Sequence, residues 1–248
     1  MPLGTEQAEA GRVLVTRPAA RAAEDAAALR AHGLDAVIAP LTRIEQSSPP
    51  PEVPERAEAL IFTSAEAVAV MAGDPRAKAL PTYCVGPQTR AAAAAAGFTC
   101  VGEPAGDVVA LGQALLAAPE TRFFHPAGEH VAGDLGGALS AAGKSVERRT
   151  AYAAVAIPLP PAVVATLEAG DFVAAGFWSP RNATLFADAA RAAAGQGRPW
   201  RLSGTVGVAM SRNVDEALRD LGFARIRLPE RPEGTAMREA LINAARSP

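Results

Sequence analysis

Short apolar runs and alanine-rich helical stretches alternate along almost the whole of this 248-residue chain, and few architectures accommodate that order. Val13-Leu14-Val15-Thr16 reads as a strand that stops at Arg17-Pro18, and Ala19 to Ala31 follows as a helix closed by His32-Gly33. Asp35 to Ile44 is an extended segment interrupted by Pro40. The Ser/Pro-rich stretch Ser47 to Pro54 continues neither regular element, so a crossover between domains is placed there. Beyond it, Ala59 to Phe62 is a buried strand and Ser64 caps a helix through Met71. Pro81 to Val85 is a further strand, and Gln88 to Ala96 a helix closed by Gly97. The pattern recurs with the strand Arg122 to His125 and a helix from Glu129 to Ala142 capped by Gly143, then with Phe172 to Trp178 and Pro180 to Ala194. Strand–helix alternation of this kind predicts an α/β fold with parallel sheets covered by helices on both faces.

The alternation is also internally repeated. Cys84-Val85-Gly86-Pro87-Gln88-Thr89 aligns without a gap to the segment ending Met210-Ser211-Arg212-Asn213-Val214. In both, the turn residue, Gly86 or Ser211, lies eleven positions before a helix-closing glycine, Gly97 or Gly222. A looser match sets Phe62-Thr63-Ser64-Ala65 against Trp178-Ser179-Pro180-Arg181, again a strand end followed by a helix start. Two similar α/β domains are therefore expected.

Composition narrows the function. With 49% apolar and 20% charged residues and a mean hydropathy of +0.10, the chain lies in the range of folded globular proteins. No run approaches a membrane span, and Met1 to Ala10 carries Glu6 and Glu9 where a secretory leader would be basic and then apolar, so a soluble, cytoplasmic protein is expected. A net charge of −2 argues against a partner whose many phosphates must be neutralised, so no nucleic acid is expected. Cys84 and Cys100 are too few for a disulfide framework or a zinc site and read as small core residues.

In open α/β sheets, ligands sit at the carboxyl ends of strands, where helix N-termini offer free N–H groups and partial positive charge. That rule selects six loops here: Thr16-Arg17-Pro18, Thr63-Ser64-Ala65, Gly86-Pro87-Gln88-Thr89, His125-Pro126-Ala127-Gly128, Ser179-Pro180-Arg181-Asn182 and Ser211-Arg212-Asn213. Each combines small or hydroxyl residues with glycine or proline, so backbone amides can approach an anion closely. Carboxylates and phosphates fit equally well, and the same residues serve any helix as caps and turns.

Harder chemistry is mostly missing. No GxGxxG follows the first strand, and there is no Walker A sequence and no GxSxG elbow. His125 and His130 flank Glu129, but their spacing does not place both imidazoles on one helix face, and no metal is expected. His32 reads as a helix C-terminal residue, and neither Asp107 nor Glu168 has an evident acidic partner for a carboxylate dyad. Tyr83 lies inside an apolar strand. Tyr152, in Thr150-Ala151-Tyr152-Ala153, leads out of the second half, where its phenol could donate a proton to a leaving oxygen.

The ordered segments resemble the uroporphyrinogen-III synthase family over nearly the whole chain. The carriers are Val13-Leu14-Val15-Thr16-Arg17-Pro18, Ile61-Phe62-Thr63-Ser64 with Ala67-Val68, Val85-Gly86-Pro87 with Thr89, and Glu147 to Tyr152. Phe177-Trp178-Ser179-Pro180 and the helix end from Glu216-Ala217-Leu218 to Gly222 follow. The resemblance implies two similar α/β domains joined by a two-stranded antiparallel linker, the chain leaving the first domain and returning to it. Domain one would be residues 1–42 plus 158–248, domain two 50–150, with 37–44 and 150–157 as linker strands and the substrate in the cleft between domains.

The implied enzyme is a cofactor-free lyase of tetrapyrrole biosynthesis, monomeric and cytoplasmic. It would close the linear tetrapyrrole hydroxymethylbilane with loss of water and inversion of ring D, after transient contact with the preceding pathway enzyme. The resemblance makes Tyr152 the catalytic side chain and the six loops the carboxylate-binding elements, with Thr89 matching a family threonine. Where the family often carries Gly-Pro-Thr-Thr in domain one, this chain has Ser211-Arg212-Asn213-Val214, and Val214 cannot donate a hydrogen bond. That departure keeps open a second reading, a non-catalytic two-domain binder of a small polyanionic ligand.

Overall fold

The computed structural model describes residues 11–130, 133 and 135–246. Met1–Ala10, whose charges argued against a leader, lies outside the described residues, and no described helix is long and apolar enough to cross a membrane. The chain separates into two compact units, one made of the residues up to Arg43 and from Ala156 onward, the other of Ile44–Val155.

The first unit opens with β1 (Arg12–Val15), α1 (Ala19–Ala31) and β2 (Asp35–Ile38), and β3 (Thr42–Gln46) leads out of it. The second unit runs β4 (Ala59–Phe62), α2 (Ala65–Met71), α3 (Pro75–Lys78), β5 (Pro81–Cys84), α4 (Pro87–Ala95), β6 (Thr99–Cys100), α5 (Val108–Ala117), β7 (Arg122–Gly128), α6 (Leu135–Ser140) and β8 (Ser145–Ala156). The chain then completes the first unit with α7 (Pro161–Ala169), β9 (Phe172–Phe177), α8 (Pro180–Gly195), β10 (Val206–Ala209), α9 (Arg212–Leu218), a 3-10 turn Arg219–Leu221, β11 (Arg225–Arg227) and α10 (Gly234–Arg246).

In the first unit the sheet order is β11-β10-β9-β1-β2, every neighbour parallel. Alternation sends Val13 and Val15 to one face, against Ala22, Ala26 and Leu29 of α1 and Leu241 of α10. Leu14 goes to the other, against Phe177, Phe186, Val214 and Leu218. Both faces are covered, which is why these strands read as continuous apolar runs. The second unit repeats the plan in the order β3-β8-β7-β4-β5-β6, parallel from β8 to β6. Leu60, Phe62 and Phe124 pack on α2 and α4, while Ala59, Ile61 and Phe123 pack on α5 and α6. Each such buried leucine or phenylalanine contributes about 1.5–3 kcal/mol.

β3 lies beside β8: Ser47 N–H donates to Ala151 and Ile157 N–H to Leu41, so one strand advances as the other retreats. Val37 and Ile38, expected in a connecting strand, belong instead to β2 and pair with β1, because Pro40 ends that strand before β3 begins.

Three expectations need correction. His125-Pro126-Ala127-Gly128 is not a loop but the end of β7, buried throughout. Its partner β8 is twelve residues long and offers backbone groups as far as Tyr152, and Pro126 biases His125 toward extended backbone. Consequently no helix starts at Glu129, whose N–H donates to the Tyr152 carbonyl; the described helix is Leu135–Ser140, while residues 131, 132 and 134 of the expected helix lie outside the described residues. The looser repeat is also out of step by one. Ser64 caps α2 by accepting from the Ala67 N–H and Ser179 caps α8 by accepting from the Asn182 N–H, so Ser64 corresponds to Ser179. The gap-free match holds: Gly86 and Ser211 both precede the first residue of a helix, and Gly97 and Gly222 both take the left-handed conformation, with φ of 85° and 78°.

Candidate functional site

In the second unit the parallel strands β4, β7 and β8 end around a cavity of about 530 Å³, lined by Thr63, His125, Arg148 and Tyr152, with Val108 of α5 and Leu135 of α6 on its apolar side. Register explains the grouping. His125 pairs directly with Arg148, which places both side chains on one face, and Tyr152 lies four residues further along β8. The ladder slips between Ala127 and Gly128, so Gly128 faces Tyr152 rather than Ala151. A β-carbon on Gly128 would stand 2.9 Å from the tyrosine Cζ and 3.0 Å from its hydroxyl oxygen, so only glycine leaves the phenol in place.

His125 is only 4% exposed and shares a 3.1 Å hydrogen bond with the Thr63 hydroxyl through Nε2. Burial first, and then the nearby Arg148 guanidinium, push its pKa down to about 4, so the imidazole is neutral at pH 7. Arg148 is held by its own backbone neighbours: Nη2 donates to the carbonyls of Gly128 at 3.0 Å and Glu129 at 2.6 Å. Tyr83, the other tyrosine, lies away from this cavity and donates its hydroxyl to Glu120 at 2.8 Å, with its pKa raised to about 12 chiefly by burial.

The remaining expected residues divide by element. Ser64 is a cap and Ala65 the first residue of α2. Gly86, Pro87 and Gln88 open α4 at the surface, whereas Thr89 is only 7% exposed. In the first unit, Arg17 donates at 2.9 Å to Asp25, whose carboxylate is fully buried and also accepts from Arg238 at 3.2 Å; the Arg17 guanidinium lies over the Trp178 ring at 5.6 Å. Ser179 caps α8, with Pro180 and the exposed Arg181 at its first turn. Asn182 is buried, donating to the Thr16 carbonyl at 3.1 Å and facing the Thr42 hydroxyl, so it ties strands and helix together. Ser211 precedes α9 without a side-chain cap bond, and Arg212 and Asn213 are exposed. Val214 is fully buried in the core beneath them. Among the described residues no His, Cys, Asp and Glu cluster could hold a metal.

A family model described as "Uroporphyrinogen-III synthase HemD" matches residues 23–239. The chain belongs to the uroporphyrinogen-III synthase family. Its fold is similar to that of the uroporphyrinogen-III synthetase of Helicobacter pylori, at 14% identity and a TM-score of 0.62, covering 94% of this chain and 99% of that one. A mutant uroporphyrinogen III synthase from Thermus thermophilus aligns at 16% identity and a TM-score of 0.46, over 96% and 100% of the two chains. No curated protein matches by sequence. Against the family expectations, the structure groups Tyr152 with Thr63 and His125 in one cavity, while Gly86 to Thr89 stand outside its lining. Sequence reasoning missed Arg148, although the two-residue period of a strand through Val146, Arg148 and Tyr152 was the available signal.

Proposed function

We propose that this family member catalyses the closure of hydroxymethylbilane to uroporphyrinogen III, acting as a carbon–oxygen lyase without a cofactor. In this reading it is a cytoplasmic monomer that receives its substrate from the preceding pathway enzyme. Loss of the terminal hydroxyl as water leaves an azafulvene. Its electrophilic carbon bonds the substituted carbon of ring D to give a spiro intermediate, and reclosure inverts that ring. The observation that carries the reading is Tyr152 at the edge of a cavity formed by strand ends, its ring seated on Gly128. A phenol there can donate its proton to the departing hydroxyl, while the strand-end loops of both units supply amides and hydroxyls to the substrate's carboxylates. The two units act as domains in this reading, with β3 and β8 as the connection between them.

The alternative reading, a non-catalytic binder of a small polyanion, drew on Val214, whose side chain packs in the core of the first unit. The test is to supply freshly generated hydroxymethylbilane, oxidise the products and separate uroporphyrin III from I. Dominant III isomer is expected, and only the spontaneous I isomer from folded protein would overturn the assignment. Tyr152→Phe should slow III formation by less than the ~10²- to 10⁴-fold typical of general acid catalysis, because this substrate closes unaided; an unchanged rate removes the proton-donor role.

A further inference from the structure

The described residues that line the cavity of the second unit carry charge of one sign. None of its described lining residues is acidic, and Arg148 is its one permanent cation. Two exposed arginines of the unit have carboxylate partners, Arg122 on Glu58 and Arg149 on Glu147. Among the described residues Arg148 has no carboxylate partner, and Nη2 donates to the carbonyls of Gly128 and Glu129. Those two bonds fix the plane of the guanidinium without consuming its charge, and a guanidinium has five N–H donors. His125 is buried and neutral, Tyr152 is a phenol, and His130, exposed at the rim, lies 3.5 Å from its neighbour Glu129. One oriented cation beside a phenol and a threonine hydroxyl matches one anionic group with two or three acceptor positions, the chemistry of a single carboxylate.

We propose that Arg148 is a specificity-determining residue that takes one carboxylate of the tetrapyrrole substrate and so holds the linear chain in the cavity that Tyr152 lines. The proposal rests on the reading given under "Proposed function". Arginine suits the task because its fork can keep two N–H groups on backbone carbonyls and present others to the ligand, which a lysine ammonium does less well. A bound carboxylate would also screen the Arg148 charge from His125, so ligand binding and the titration of His125 are coupled through this one side chain.

The experiment is calorimetric titration of the full chain with uroporphyrin III, an octacarboxylate, for wild type, Arg148→Gln and Arg148→Lys, with the isomer assay run on the same preparations. Loss of a charge-assisted pair predicts about 10- to 100-fold weaker binding for Arg148→Gln, with partial recovery in Arg148→Lys. In turnover the same variant should raise KM and leave kcat within about twofold, the pattern of lost uniform binding. Histidine NMR gives a readout independent of activity: Arg148→Gln should raise the His125 titration midpoint, and uroporphyrin III should raise it in wild type only. Equal affinity in all three proteins overturns the proposal, as does absence of uroporphyrin binding by wild type. Equal weakening in the Gln and Lys variants with kcat lost would also overturn it, marking Arg148 as a structural tie. The isomer ratio judges the synthase reading separately, since wild type that binds through Arg148 yet yields only the I isomer fails that reading alone.

Discussion

At the scale of single residues, the site depends on one absent β-carbon and one suppressed charge. Gly128→Ala places a methyl 2.9–3.0 Å from the Tyr152 ring, closer than real contacts allow, and the phenol must move. A displacement approaching 1 Å predicts a 10- to 100-fold fall in kcat for III-isomer formation, measured with the chromatographic assay. His125 makes a pH prediction. The folded protein binds its proton only near pH 4, whereas the unfolded chain does so near the ordinary 6.5. Between those values the unfolded state holds more protons, so the associated stability is complete above about pH 6.5 and is lost as pH falls toward 4. Urea unfolding should show wild type losing about 2 kcal/mol more than His125→Gln between pH 7.5 and pH 5. Neither behaviour was legible in sequence, where His125 stood in a supposed loop and Gly128 was one turn glycine among many.

At the scale of elements, the chain's own chemistry set most boundaries. Ser64 and Ser179 were readable as helix starts, and both accept a backbone N–H at 3.2 Å. Ser211 looked the same but makes no such bond. Ser64→Ala and Ser179→Ala should each cost about 1 kcal/mol in urea unfolding, while Ser211→Ala should change stability by a few tenths at most. The caps also fix the repeat register that apolar pattern alone left one residue out, since a strand end has no sharp chemical mark and a cap does. β7 failed as a sequence reading for the converse reason. Its length is set by hydrogen bonds to β8, a partner more than twenty residues away in sequence, and Pro-Ala-Gly carries the local signature of a turn whether or not a neighbour pairs with it.

For the molecule as a whole, two units each bury separate apolar clusters on both faces of their own sheet. Leu218→Ala, fully buried in the first unit, should cost about 2–5 kcal/mol and speed hydrogen exchange in α8, α9 and β9, leaving Leu60, Phe62 and their neighbours protected. Exchange followed by mass spectrometry checks this, and equal acceleration in both units would show one cooperative fold. The α/β class, the duplication, the helix caps and the family were determined by the sequence itself, because each rests on short-range periodicity, local capping or the order of motifs. The grouping of Arg148, His125, Thr63 and Tyr152, the slip that seats the phenol on Gly128, and the burial of Val214 and Asn182 were decided only by the tertiary structure. They depend on which strands become neighbours and in what register, and a one-residue change of register sends every side chain to the opposite face.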